Sequence, residues 1–159
     1  GQPTTICHAF VGETVVLPCI TSPPGELIFS KSLLYWQING KIVHFFKKGE
    51  DSLDNQEKQF DGRTSLFLDQ MKHGNLSLKI TNVQLEDDAE YTCIYKPSAS
   101  DPTKKFYIKL SVSVSPRTDQ APTPSGQSQV SSRSPSEAPC LAMLLLSFHL
   151  LVTLGAWLL

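Results

Sequence analysis

The sequence predicts an all-β fold, a sandwich of two packed sheets over residues 1–115, followed by a disordered stalk at 116–139 and a hydrophobic helix at 140–159. Three observations carry the sandwich. Short runs rich in Val, Ile, Leu, Phe and Tyr recur between turn signals. Within 85–93, Asp87, Ala89, Tyr91 and Cys93 fall at alternate positions, and a period of two places one set of side chains on one face of a strand. Asn39-Gly40 separates two apolar runs and suits a two-residue type I′ hairpin, because both central positions need positive φ.

Taken in order, strands are expected at 4–8, 14–20, 32–38, 41–46, 64–68, 76–80, 90–96 and 105–114, with a short, frayed strand inside the polar segment 50–60. Counting outward from the Asn39-Gly40 turn pairs Ile38 with Lys41, Gln37 with Ile42, Trp36 with Val43, Tyr35 with His44 and Leu34 with Phe45. Paired residues share a face. With Trp36 inside, Leu34, Val43 and Phe45 point in, and Tyr35, Gln37, Ile42, His44 and Phe46 point out. On 90–96, Tyr91, Cys93 and Tyr95 point in and Ile94 and Lys96 out. On 105–114, Ile108, Leu110, Val112 and Val114 form the inner stripe, leaving Tyr107 and Lys109 outside.

Composition narrows the function classes. The net charge of −1 over 159 residues gives no electrostatic reason to expect nucleic acid as a partner. None of the four cysteines forms a C-x-x-C pair, and His8, His44, His73 and His149 lack metal-ligand spacing, so no metal is expected. No phosphate loop or nucleophile elbow is present, and no cofactor or enzymatic activity is expected. Asp87-Asp88 resembles a catalytic carboxylate pair only in isolation. Its place at a strand corner gives Asp87 a structural role and leaves Asp88 solvated. The chain begins at Gly1 without a charged-then-apolar leader, which reads as a removed signal peptide or an incomplete chain.

Cys19, Trp36 and Asp87-x-Ala89-x-Tyr91-x-Cys93, in that order, resemble the immunoglobulin variable-type domain. The resemblance implies an inter-sheet disulfide between Cys19 and Cys93 packed on Trp36. It also implies an ion pair between Arg63, at the opening of the strand expected at 64–68, and Asp87. Further pieces resemble the butyrophilin and T-cell costimulatory-ligand group. These are Gly12-Glu13-Thr14-Val15-Val16-Leu17-Pro18-Cys19, Leu34-Tyr35-Trp36-Gln37, Val43-His44-Phe45-Phe46-Lys47-Lys48-Gly49, Gly62-Arg63-Thr64, Gly74-Asn75-Leu76-Ser77-Leu78 and Asn82-Val83-Gln84-Leu85-Glu86-Asp87. Such ligands usually carry a constant-type domain before the membrane, and here the stalk composition follows directly. The Gly-x-Gly of antigen-receptor strands is missing from 101–111.

The resemblance implies a cell-surface ligand that binds an immune-cell receptor, a T-cell surface receptor first of all, and modulates T-cell activation and cytokine production. The alternative is a homophilic adhesion protein. A signalling receptor is disfavoured because nothing after Leu159 could carry a phosphorylatable tail. The partner-binding face expected is the outer side of the sheet holding Tyr35, Gln37, Ile42, His44, Phe46, Ile94, Lys96, Tyr107 and Lys109, since exposed apolar patches mark interaction sites.

Asn75-Leu76-Ser77 is the single Asn-x-Ser/Thr sequon and predicts an N-glycan. Cys7 is left over: either it is buried and reduced, or it forms an interchain bond in a dimer. Cys140 is a candidate for lipid modification. Residues 116–139, rich in Pro, Ser, Thr and Gln, read either as an O-glycosylated stalk or as a bare linker. Residues 140–159 carry no charged side chain over a length that can span a bilayer, which places the protein on the outer side of the plasma membrane. A terminal apolar tail with no trailing Lys or Arg fits a glycosylphosphatidylinositol signal, with attachment at Ser125-Gly126 or within 128–132, in preference to a single-pass span.

Overall fold

The computed structural model of the chain describes residues 4–21, 31–116 and 140, and all structural statements concern these. Two sheets face each other. The larger has six strands in the order β1 (Thr5–Phe10), β9 (Lys104–Ser113), β8 (Ala89–Lys96), β3 (Leu33–Ile38), β4 (Lys41–Lys47) and β5 (Glu50–Asp51). The smaller runs β2 (Val15–Leu17), β7 (Leu78–Ile80) and β6 (Thr64–Leu66). All pairings are antiparallel except β1 with β9, which is parallel.

The inner faces meet where the alternation predicts. Trp36, Cys93, Tyr91, Ile108, Leu110, Leu17, Leu78 and Ile80 are all buried. Cys19 and Cys93 are disulfide-bonded across the two sheets, and Trp36 lies opposite Cys93 on the neighbouring strand. The Trp36 indole N–H donates to the Leu76 carbonyl at 3.1 Å, so the largest core side chain leaves no polar atom unpaired. A disulfide closing a loop of this length contributes roughly 2–5 kcal/mol, mainly by restricting the unfolded chain.

Local chemistry explains most strand ends. Asn39 and Gly40 have φ of 49° and 81°, as a type I′ turn demands, and Ile38 pairs with Lys41 across it. Gly74 has φ of 87° and its Cα approaches Thr21 so closely that an added Cβ would lie 2.7 Å from the Thr21 carbonyl oxygen; only glycine fits. The strand expected over 64–68 stops at Leu66. The chain turns into a short helix, α1 (Leu68–Met71), which buries Met71 in the core. The strand expected in 50–60 is the two-residue β5, followed by a turn of 3₁₀ helix at Lys58–Phe60 that buries Phe60. Val114 was expected on the inner stripe. It lies beyond the end of β9 and is 65% exposed.

The strand pair β3–β4 follows the counted register only for Ile38–Lys41 and Gln37–Ile42. Beyond it a bulge intervenes, and Trp36 lies opposite His44, Tyr35 opposite Phe45 and Leu34 opposite Phe46. Val43 is the extra residue of β4, so Val43 and His44 are both buried. From there every side chain changes face relative to the expectation. His44 and Phe46, expected outside, are buried, and Phe45, expected inside, is half-exposed on the outer face.

Candidate interaction face

The outer face of the six-stranded sheet can be read row by row from its pairings. Lys47, Leu33 and Lys96 form one row. Phe45, Tyr35, Ile94 and Lys105 form the next, followed by Ile42, Gln37, Thr92 and Tyr107. Glu90, Lys109 and Ile6 form a fourth. Tyr35 and Phe45 meet edge to face with centroids 5.9 Å apart, and the Lys47 ammonium sits 5.3 Å from the Phe45 ring centre. Both contacts hold aromatic rings in place at the surface. Tyr107 is 39% exposed.

Of the residues expected on this face, Tyr35, Gln37, Ile42, Lys96, Tyr107 and Lys109 are there, all at least partly exposed. Ile94 points outward but is only 3% exposed, set between Tyr35 and Lys105 in its row. It is a buried floor, and a charge placed there would disturb the fold. Lys109 is engaged within the molecule by Asp88. His44 and Phe46 do not belong to the face. Instead His44 Nδ1 lies 2.9 Å from the Thr64 hydroxyl and Nε2 lies 2.8 Å from Asp51 Oδ1. This part-buried chain ties β4 to β5 and to β6 in the opposite sheet.

The count missed two parts of the surface. Phe45 was hidden by the bulge. The run Ile42-Val43-His44-Phe45-Phe46 lacks strict alternation, and that was the available signal. Strand β1 adds Ile6, His8 and Phe10, all exposed, with Ile6 at 61%. Its alternation with buried Cys7 and Ala9 was readable, whereas its parallel pairing to β9 was not.

The supporting corner is built from Arg63, Asp87 and Tyr91. Arg63 donates to both carboxylate oxygens of Asp87 at 2.8 and 2.9 Å, and Asp87 is fully buried. The Gln84 N–H also donates to Asp87 at 2.8 Å, and the Tyr91 hydroxyl donates to the Asp87 carbonyl at 2.9 Å. The hydrogen bond to Asp87 holds the Arg63 guanidinium above its already high pKa, and burial pushes the Tyr91 phenol up. Ala89 begins β8 directly after this corner. Asp88, expected to be merely solvated, accepts from Lys109 Nζ and from the Val112 N–H at 2.9 Å, and these two donors hold its carboxyl below the usual range.

The side-chain amide of Asn75, which bridges to Ile20 ahead of β7, donates to Gln70 Oε1 at 2.7 Å. Cys7 corrects the dimer expectation. It is fully buried and disulfide-bonded to Cys140, so its sulfur is not available to another chain. The same bond takes up Cys140, the candidate for lipid modification. Among the described residues no group of His, Cys, Asp and Glu could hold a metal ion, and no helix is long and apolar enough to cross a membrane. The attachment residues and the apolar stretch after Cys140 lie outside the described residues.

A two-sheet sandwich with its disulfide on a buried tryptophan, an Arg–Asp pair across the corner and a tyrosine closing that corner is an immunoglobulin variable-type domain. The Immunoglobulin V-set domain family matches residues 2–115, and the chain belongs to that family. It is 41% identical over 93 residues to V-set domain-containing T-cell activation inhibitor 1 of Homo sapiens, covering 57% of this chain and 32% of that protein. It is 34% identical over 99 residues to Programmed cell death 1 ligand 1 of Mus musculus, covering 62% of this chain and 34% of that protein. The crystal structure of the human B7-H4 IgV-like domain superposes with a TM-score of 0.61 at 32% identity, covering 69% of this chain and 94% of that one. The chain spans about a third of the length of these two curated relatives. These relatives support the likeness to the costimulatory-ligand group seen in the sequence.

Proposed function

We propose that this protein is a cell-surface ligand that uses the outer face of its six-stranded sheet to bind a receptor on an immune cell, a T cell first, and so modulates activation and cytokine production. One observation carries the reading: Leu33, Tyr35, Ile42, Phe45 and Tyr107 are partly or well exposed side by side where a solvent-facing sheet surface should alternate with polar residues. Rigid aromatic anchors of this kind dominate interface energetics. The names of the relatives support the same direction, since they describe T-cell regulation and a ligand rather than a reaction.

The charges at one end of the face describe the partner. Lys47, Lys96 and Lys105 make no ion pair with an acid among the described residues. A second copy meeting this face with its strands running in the same sense would bring these lysines together. A receptor with an apolar centre and carboxylates around it fits better.

Membrane attachment through the apolar stretch at 140–159, below the stalk at 116–139, and an N-glycan on Asn75 complete the proposal. Asn75 precedes β7 of the smaller sheet and bridges to Ile20, away from the rows of the six-stranded face; loss of mass on glycosidase treatment of cell-derived protein checks the glycan. The central test is a binding screen of the extracellular region against cells displaying immune receptors. Tyr35→Asp and Phe45→Asp should melt like the parent and lose binding. Parent-like binding by both rejects the face. Clustering of cells that bear only this protein favours adhesion.

A further inference from the structure

The chain has four cysteines, and the structure joins them as two pairs. The second pair, Cys7 with Cys140, links residues 133 apart in sequence, with Cα atoms 5.7 Å from each other. Cys7 points inward from β1, opposite Leu110 on β9. Cys140 packs into the same core cluster at 8% exposure. β9 ends at Ser113, so the bond brings the chain back to β1 after the stalk sequence.

We propose that Cys7 and Cys140 form a second structural disulfide that closes residues 116–139 into a covalent loop and keeps the apolar stretch after residue 140 in the mature protein. In forming it, two thiols give up two electrons and two protons to a protein disulfide of the secretory pathway, which leaves as a dithiol. Once formed, the bond attaches the domain to everything after residue 140 by two paths, the main chain and the sulfur bridge. A single cut in 116–139 then releases nothing.

The bond also decides between two fates of the C-terminal stretch. Glycolipid attachment cleaves the peptide bond after the attachment residue and discards the rest of the chain. Attachment at Ser125 or within 128–132 would discard Cys140 and leave Cys7 as an unpaired thiol in the core. Loss of the C-terminal stretch to such an anchor and the Cys7–Cys140 bond exclude each other, because a bond already formed would hold the cut piece on the domain. Burial of Cys7 argues for the bond, because a thiol on another chain could reach it only if the β1 edge opened.

The test uses the full chain on mammalian cells, with an N-terminal epitope and a site-specific protease sequence inserted between Gly126 and Gln127. Protease alone should nick the chain, as seen on a reducing gel, and leave the epitope on the cells. Protease with a thiol reductant should release it. Cys140→Ser should release it with protease alone, and phosphatidylinositol-specific phospholipase should release none of the parent protein. Release of the parent by protease alone to the level of Cys140→Ser, or release by the phospholipase, overturns the proposal. If Cys140→Ser does not reach the surface, peptide mapping of the unreduced parent decides. Linked Cys7 and Cys140 peptides support the bond, and an alkylated Cys7 rejects it.

Discussion

Arg63→Ala isolates a carboxylate inside the sandwich. The guanidinium supplies both side-chain donors to Asp87 from another residue's side chain, and after its loss only the Gln84 N–H remains. Asp87 cannot turn to solvent, because it has no exposed surface. Breaking a buried pair by removing one partner costs about 3–5 kcal/mol, whereas an exposed pair is worth at most ~1 kcal/mol. Arg63 retains 15% side-chain exposure, which places the expected loss toward the lower end, about 3 kcal/mol. For a domain of this size that lowers Tm by roughly 10–15 °C. Urea titration followed by Trp36 fluorescence should show a lower midpoint with unchanged slope. Arg63→Ala, Asp87→Ala and the double variant should give a clear coupling energy. A loss below ~1 kcal/mol, or no coupling, would mean the pair behaves as a surface contact and the reasoning is wrong.

Two further outcomes follow from the register and from Asp88. Phe46→Ala should cost about 3–5 kcal/mol by opening a cavity, while Phe45→Ala should barely change stability and should weaken receptor binding; equal effects on melting would contradict the bulge. Asp88 has a lowered carboxyl pKa, so its stabilisation is present above the ordinary aspartate range and is lost as pH falls through its own lower value. Asp88→Asn should therefore flatten the acid limb of stability measured from pH 7 to 3, by a small amount because the group is exposed, and an unchanged limb would deny the carboxylate that role.

Where local chemistry sets the outcome, the sequence was readable. Asn39-Gly40 forced its hairpin, and the alternation at Tyr91 and Cys93 placed both in the core, since both depend on backbone preference and a period of two. Phe45 was misplaced because the bulge turns His44 inward, where it meets Thr64 across the sandwich and Asp51 on the neighbouring β5. The partner of Cys7 was unreadable for the same reason: a thiol's partner is set by proximity in the folded chain, and Cys140 lies 133 positions further on. The lysines at the end of the face were visible one by one, but their grouping needed the pairings of four strands.

The two-residue β5 has a consequence for how this margin of the sheet meets other strands. A sheet margin offers unpaired N–H and C=O groups to any passing strand, and a long, flat margin invites stacking into aggregates. On this side the sheet ends in Glu50 and Asp51 alone, and the Asp51 carboxylate is already turned to His44. A foreign strand would find a very short register and a carboxylate side chain. That margin gives lateral growth little to build on, so neighbouring copies at high concentration would not zip together from that side.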